Sequence, residues 1–270
     1  MIDRICISIN NRCNLACRYC HFHEKGEIEA RDMDVLEILD HVKKYAKNEF
    51  KIGFVGNGEC FLDWTKLKYY ISYLEDCPAI SVYTITNGMV KLPDKEWLFL
   101  EDHKVNVGFS IDGYRELHNL NRCDSFDRAM ENVENYKRVT GHYPTFNATV
   151  GRESLDHADR VIEFFKPYGT RVTFSRMIGK YGISLKEYRM FLDKAERIIP
   201  VRRGGKDCTM YGGQCGAGLN NYFFANGKVY FCGNCINLPP IGDSGMTFDE
   251  LEKINLDFDR SCCCKETLAL

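Results

Sequence analysis

Six short apolar runs recur along the first 200 residues, with amphipathic stretches between them. The runs are ICISI (5–9), KIGFV (51–55), ISVYTIT (80–86), VNVGFSI (105–111), YPTFNATV (143–150) and RVTFS (171–175). The stretches between them include MDVLEILDHVKKYA (33–46), WTKLKYYISYLE (64–75), FDRAMENVENYKRV (126–139) and ADRVIEFFKPYG (158–169). Short runs rich in β-branched and aromatic residues read as strands, and apolar residues three and four apart read as helix. Strands that alternate with helices form a parallel sheet covered by those helices. Right-handed crossovers curl such a sheet into an open or partial barrel. The expected fold is therefore α/β, a partial (β/α)6 TIM-like barrel. Chemistry in that architecture gathers at the carboxyl ends of the strands.

The helix-like segment SLKEYRMFLDKAERII (184–199) closes this region, and Pro200 followed by RRGGK (202–206) reads as a solvated linker. Beyond the linker the chain is short, Gly-rich and Cys-rich. YFFANGKVYFC (222–232) predicts a β-hairpin, because Asn226-Gly227 suits a two-residue turn between apolar runs. The expected organisation is a barrel over 1–200 and a small Cys-rich domain over 201–270.

Fourteen cysteines are many for 270 residues. The chain opens with no signal-peptide pattern and contains no apolar run long enough to span a bilayer, so a cytoplasmic location and no membrane partner are expected. The formal net charge of -2 gives no reason to expect nucleic acid as a partner. Thiols stay reduced in the cytosol, so clustered cysteines there point to metal. Cys13, Cys17 and Cys20 form one cluster, and seven cysteines fall between Cys208 and Cys264. Cys6, Cys60, Cys77 and Cys123 are scattered, as small buried hydrophobes are.

The first cluster sits in NNRCNLACRYCHFHE (10–24), just after the first strand. Three thiols without a fourth leave three readings. A [4Fe–4S] cluster on three cysteines keeps one iron open. His21 or His23 could complete a Cys3His zinc site. An inert trio is the third, though the loop is polar. Other strand ends carry turns that converge on the same mouth: GNGE (56–59), TNG (86–88) and SIDG (110–113).

C-x3-C-x2-C after a first strand, with Tyr19 before the third cysteine, resembles the radical S-adenosylmethionine superfamily. The resemblance implies that Cys13, Cys17 and Cys20 hold a [4Fe–4S] cluster whose open iron binds S-adenosylmethionine (SAM). A reduced cluster would cleave SAM to a 5′-deoxyadenosyl radical that abstracts a hydrogen atom from substrate. GNGE is similar to the family's GGEP segment, so Asn57, Gly58 and Glu59 would meet the ammonium group, which needs acceptor oxygens. The segment departs from that pattern at Asn57 and Cys60. Asn87 of the third turn joins the expected cofactor contacts. Ser110 and Asp112 resemble the residues that bind ribose or carboxylate, Arg122 would pair with the carboxylate, and Phe22 would pack near the adenine. Cys60 and Cys123 come after motifs at the mouth and are candidate hydrogen-atom donors, with plain packing as the alternative.

Cys215, Gly227 and Cys232 reproduce the spacing that opens the SPASM/twitch motif of many of these enzymes. That likeness implies a truncated, twitch-like domain with one auxiliary [4Fe–4S] cluster. Its ligands would come from Cys208, Cys215, Cys232, Cys235 and the triplet Cys262, Cys263 and Cys264, of which Cys262 and Cys264 are the candidates. Zinc is the alternative there.

Two substrate classes compete. SIDGYRELHNLNR (110–122) and CGAGLNNYFFANGKVYFC (215–232) resemble enzymes that mature sulfatases and peptides, which implies oxidation, cross-linking or epimerisation of a ribosomally made peptide. No leader-binding segment precedes the first strand, which favours a small-molecule dehydrogenase or epimerase of the aminocyclitol type. A non-catalytic iron–sulfur or zinc protein is the third reading. A flavodoxin- or ferredoxin-type electron donor is the partner the resemblance implies.

Overall fold

The computed structural model describes residues 2–20, 31–202, 217–218, 220–233, 236 and 238–254. Six parallel strands run in chain order: β1 (Arg4–Ser8), β2 (Phe50–Phe54), β3 (Ile80–Thr86), β4 (Asn106–Ser110), β5 (Thr145–Val150) and β6 (Val172–Arg176). Each expected strand lies within two residues of its observed ends. The helices among the described residues are α1 (Asp32–Tyr45), α2 (Trp64–Tyr73), α3 (Asp94–Asp102), α4 (Arg115–Arg122), α5 (Phe126–Thr140), α6 (Arg152–Asp156), α7 (Ala158–Phe165), α8 (Leu185–Ala195) and α9 (Phe248–Lys253). The fold is the α/β, partial TIM-like arrangement that the alternation predicts. No helix among the described residues is long and apolar enough to cross a membrane.

Side chains alternate across each strand, and the helix-facing set forms the core. Ile5 and Ile7, Ile52 and Phe54, and Val107 and Phe109 are all buried there. Val35, Ile38, Leu39 and Val42 of α1 repeat at helical spacing and close over this face. The opposite set is polar and faces the barrel interior: Arg4 and Cys6, Lys51, Ser81 and Tyr83, Asn106, Thr145 and Asn147 line a cavity there. Gly53, opposite both Cys6 and Tyr83 in register, leaves room for the Tyr83 ring, which reaches Cys6 Sγ at 3.2 Å.

The hairpin forms as its turn predicts, with β7 (Asn221–Ala225) antiparallel to β8 (Lys228–Tyr230). Asn226 and Gly227 both have positive φ, 56° and 73°. Its placement is what the turn does not announce. β7 pairs in parallel with β1, from Arg4 opposite Asn221 to Ser8 opposite Ala225. The sheet therefore runs without a break as β6-β5-β4-β3-β2-β1-β7-β8-β9, the last strand being Gly242–Asp243. Helix α9 then docks on the barrel. Phe248 is buried, stacks on Tyr45 of α1 at 5.3 Å and meets Phe50 of β2 edge-on at 5.6 Å.

That packing has a measurable consequence. Phe248→Ala is expected to destabilise the protein by about 3–5 kcal/mol. Urea unfolding should show one transition moved to lower denaturant, because the ring is shared with α1 and β2. A new early transition that leaves the main one in place would instead mean that α9 unfolds on its own.

Candidate active site

The loop that carries Cys13, Cys17 and Cys20 leaves the carboxyl end of β1 and is gripped from two sides. On one side stands the turn after β2. Glu59 N–H donates to Arg12 O at 2.7 Å, and Asn57 N–H donates to Ser8 Oγ at 3.2 Å. The approach is so close that a Cβ on Gly58 would lie 2.4 Å from Arg12 O, a backbone atom with nowhere to go. Arg12 also pairs with Asp63, at the end of the turn Cys60–Asp63.

On the other side stands the end of α4. Arg18 N–H donates to Asn121 O at 3.0 Å and Arg18 Nε to Asn121 Oδ1 at 2.8 Å. Cys123 Sγ donates to Ala16 O at 3.0 Å. Tyr19 Oη donates to Asp112 Oδ2 at 2.9 Å, and Arg122 Nε reaches the same oxygen at 3.1 Å. Thr149 N–H donates to Asp112 Oδ1 at 2.9 Å. His118 supports this knot from beneath. Asp112 N–H donates to His118 Nδ1 at 3.4 Å, His118 Nε2 lies 3.0 Å from Ser125 Oγ, and Ser125 Oγ donates to Arg122 O at 2.6 Å. These partners assign a neutral imidazole protonated on Nε2.

Between the two grips lies a cleft of about 710 Å³. Cys13, Cys17 and Cys20 border it, together with Tyr19, Asn57, Gly58, Glu59, Asn87, Ser110 and Arg122. The structure thus gathers most of the residues that the motifs single out. Asn87 Nδ2 donates to Asn14 Oδ1 at 2.7 Å and lies 3.7 Å from Cys13 Sγ. Burial pushes the Cys17 thiol up to about 12, and the positive charge of Arg122 opposes that rise.

Four expectations change in detail. Asp112 does not border the cleft: it is buried beneath, with both oxygens taken by protein donors. Glu59 borders the cleft, yet its carboxylate accepts from Phe61 N at 3.1 Å, Thr86 Oγ1 at 2.9 Å and Asn87 N at 2.6 Å, so it ties the second turn to the third. Cys60 points away from the mouth into the core, where its thiol meets Thr84 Oγ1 at 3.1 Å. Cys123 is exposed at the left-handed end of α4 and does not line the cleft. Of the auxiliary candidates, Cys232 borders the barrel cavity beneath. Cys208, Cys215, Cys235, Cys262 and Cys264 lie outside the described residues, as do Phe22, His21 and His23.

Several cleft residues escape the motifs. Thr149, Ser175 and Arg176 come from the ends of β5 and β6, and Tyr181 joins them, with the Arg18 guanidinium 4.6 Å above its ring. Position at a strand's carboxyl end is the signal that marks the first three.

The donor set can be tested against a cluster and a zwitterionic ligand. No three His, Cys, Asp or Glu side chains among the described residues converge as a single ion needs. The three thiols border one cleft without closing on a point, which suits a larger inorganic body. Asn57 Oδ1 is buried without a partner, and so is Arg176 Nε. An unpartnered acceptor and an unpartnered donor on one cleft match an ammonium and a carboxylate. The residues fit. The family model of the radical SAM superfamily matches residues 7–165. The chain belongs to this superfamily. Radical SAM proteins use a [4Fe–4S] cluster and SAM, and Cys13, Cys17 and Cys20 are the residues of this chain that would hold the cluster.

The cysteine-type anaerobic sulfatase-maturating enzyme of Clostridium novyi is 26% identical over 212 residues, covering 68% of this chain and 56% of that protein. The chain spans about half the length of the curated relatives it matches. The solved structure of native anSMEcpe with bound AdoMet has a TM-score of 0.75 at 22% identity, covering 99% of this chain and 84% of that one. Streptococcus suis SuiB bound to its precursor peptide SuiA has a TM-score of 0.74 at 15% identity, covering 93% and 64%. These likenesses show a shared radical SAM fold.

The grip on the loop has a pH signature. Burial pulls the His118 imidazole down to about 4, from an ordinary value of 6.5. The unfolded chain takes up a proton below 6.5, whereas the folded chain resists until about 4. Stability is therefore full above the upper value and falls as pH drops through the window, by on the order of 3 kcal/mol. Urea titrations across this range should show a smaller pH-dependent loss for His118→Gln than for the parent protein. Equal losses would contradict the neutral, buried imidazole.

Proposed function

We propose that the protein is a radical SAM enzyme that modifies a peptide. The observation that carries this reading is the cleft itself: three loop cysteines, an unpartnered acceptor on Asn57 and an unpartnered donor on Arg176 share one continuous space. Bound there, the cluster and SAM supply the one-electron chemistry that begins hydrogen-atom abstraction. The chain's own residues bind and orient. Cys13, Cys17 and Cys20 would hold the cluster, Asn57 would accept from the ammonium group, and Arg122 and Arg176 would serve the carboxylate. Glu59 and Asp112 act at one remove, by fixing Asn87, Tyr19 and Arg122. Tyr19 and Ser110 complete the wall.

The peptide reading rests on two supports. The relatives named above include a sulfatase-maturating enzyme and a protein solved with a precursor peptide. The cleft also shares Val55, Gly56, Asn57 and Ile85 with the cavity inside the barrel, so one extended ligand can occupy both. Oxidation is the outcome we favour, in keeping with an auxiliary cluster in the segment 201–270. Cys232 borders the barrel cavity, where such a cluster's ligand would meet substrate. A flavodoxin- or ferredoxin-type protein would provide the electron, in the reducing cytoplasm that such clusters require.

The test is anaerobic reconstitution with iron and sulfide, then dithionite and SAM, with 5′-deoxyadenosine measured by mass spectrometry. The parent protein should form it. The Cys13→Ala, Cys17→Ala, Cys20→Ala variant should form none and bind correspondingly less iron. A variant as productive as the parent would overturn the assignment.

A further inference from the structure

The barrel interior carries a charge pattern that the radical chemistry does not need. Below the cluster cleft lies a second cavity of about 730 Å³. Five cations line it: Arg4 from β1, Lys51 from β2, Lys104 ahead of β4, Arg171 ahead of β6, and Arg202. No aspartate or glutamate lies among the described residues that line it. Lys51 is paired with Glu49 at 2.9 Å. Arg4, Lys104 and Arg171 meet no carboxylate among the described residues, and Arg4 Nε is buried with no partner. Three of the five cations thus meet no carboxylate among the described residues. Like charges crowded round one cavity repel one another, and an anion in their midst relieves the cost.

Arg4, Lys51, Lys104 and Arg171 sit at one end of the strands, and Cys13, Cys17 and Cys20 border the cleft at the other. Lys51 and Val55 are four residues apart along β2 and its exit, and Val55 belongs to the wall that both cavities share. At about 3.3 Å per strand residue the separation is roughly 13 Å, which an extended peptide bridges with roughly four residues.

We infer that the barrel floor is an anchor for an acidic segment of the substrate, whose carboxylates lie roughly four residues from the position that reacts. The inference rests on the peptide reading and narrows it to peptides that carry glutamate or aspartate at that remove. The floor supplies charge, and the mouth supplies chemistry. Guanidinium groups of Arg4 and Arg171 would take carboxylates in the bidentate manner, and Lys104 adds a point charge.

Binding can be measured apart from turnover. The probes are two rhodamine-labelled peptides of about ten residues, alike except that one carries Glu-Glu where the other carries Gln-Gln. Fluorescence anisotropy with the reconstituted protein, without reductant, should give about tenfold tighter binding for the acidic peptide at low ionic strength, erased by high salt. Lys104→Gln, Arg171→Gln should lose most of that preference. Both side chains are exposed, so the double variant leaves no buried hole. Arg4→Gln should deepen the loss, provided its circular dichroism matches the parent's. Equal affinity for the two peptides would overturn the inference, and so would an unchanged preference in the double variant. Displacement by inorganic phosphate as effective as by unlabelled acidic peptide would also overturn it, by showing a general anion site. Formation of 5′-deoxyadenosine by the same preparation, once dithionite and SAM are added, reports on the radical reading separately: if it forms while the two peptides bind alike, the anchor falls and the radical reading stands.

Discussion

A buried carboxylate organises the site. Asp112 is 1% exposed, so its carboxylate needs donors to replace the water it has lost. Its three donors come from three separate parts of the chain: Tyr19 from the cysteine loop, Arg122 from α4, and the backbone of Thr149 on β5. Satisfying one charge therefore fixes three walls of the cleft at once. Glu59 does the same on the facing side, where it joins its own turn to Thr86 and Asn87. The described part of the cysteine loop has little regular structure of its own, beyond a tight turn in which Cys20 N–H donates to Cys17 O at 3.0 Å. It is held by what surrounds it, and the bare Gly58 is what lets the surroundings come near enough.

This division of labour explains what the sequence made legible. The six strands and the helices α1, α2, α5 and α8 advertise themselves, because their buried faces are apolar and recur with the period of the element. Helix α4 does not. Its buried face is Leu117, His118, Asn121 and Arg122, which a hydrophobic pattern passes over. The same polar face is the one that grips the cysteine loop. The hairpin was legible from Asn226-Gly227, but its union with β1 was not, since pairing between segments some 200 residues apart leaves no local mark.

The cofactor motifs were legible as a group and less so atom by atom. A carboxylate in a glycine-rich turn can serve a ligand or serve the protein, and only the count of donors around it in three dimensions tells which. The oxygens of Glu59 and Asp112 accept from the protein's own donors. Cys60 misleads for a different reason. It comes after a turn at the mouth, yet it is the first residue of a tight helical turn and its side chain enters the core, against Thr84. Cys6, by contrast, looks like an ordinary strand residue and faces the barrel cavity beside Tyr83, because the alternation of a strand sends every second side chain inward.

The central claim is that three cysteines hold a cluster with a fourth iron open to SAM. Electron paramagnetic resonance of the reconstituted, reduced protein tests it most directly, with spectra taken before and after SAM is added. The account predicts a reduced [4Fe–4S] signal whose g-values shift on addition, because the ligand binds the cluster itself. A cluster signal that SAM leaves unchanged would contradict it.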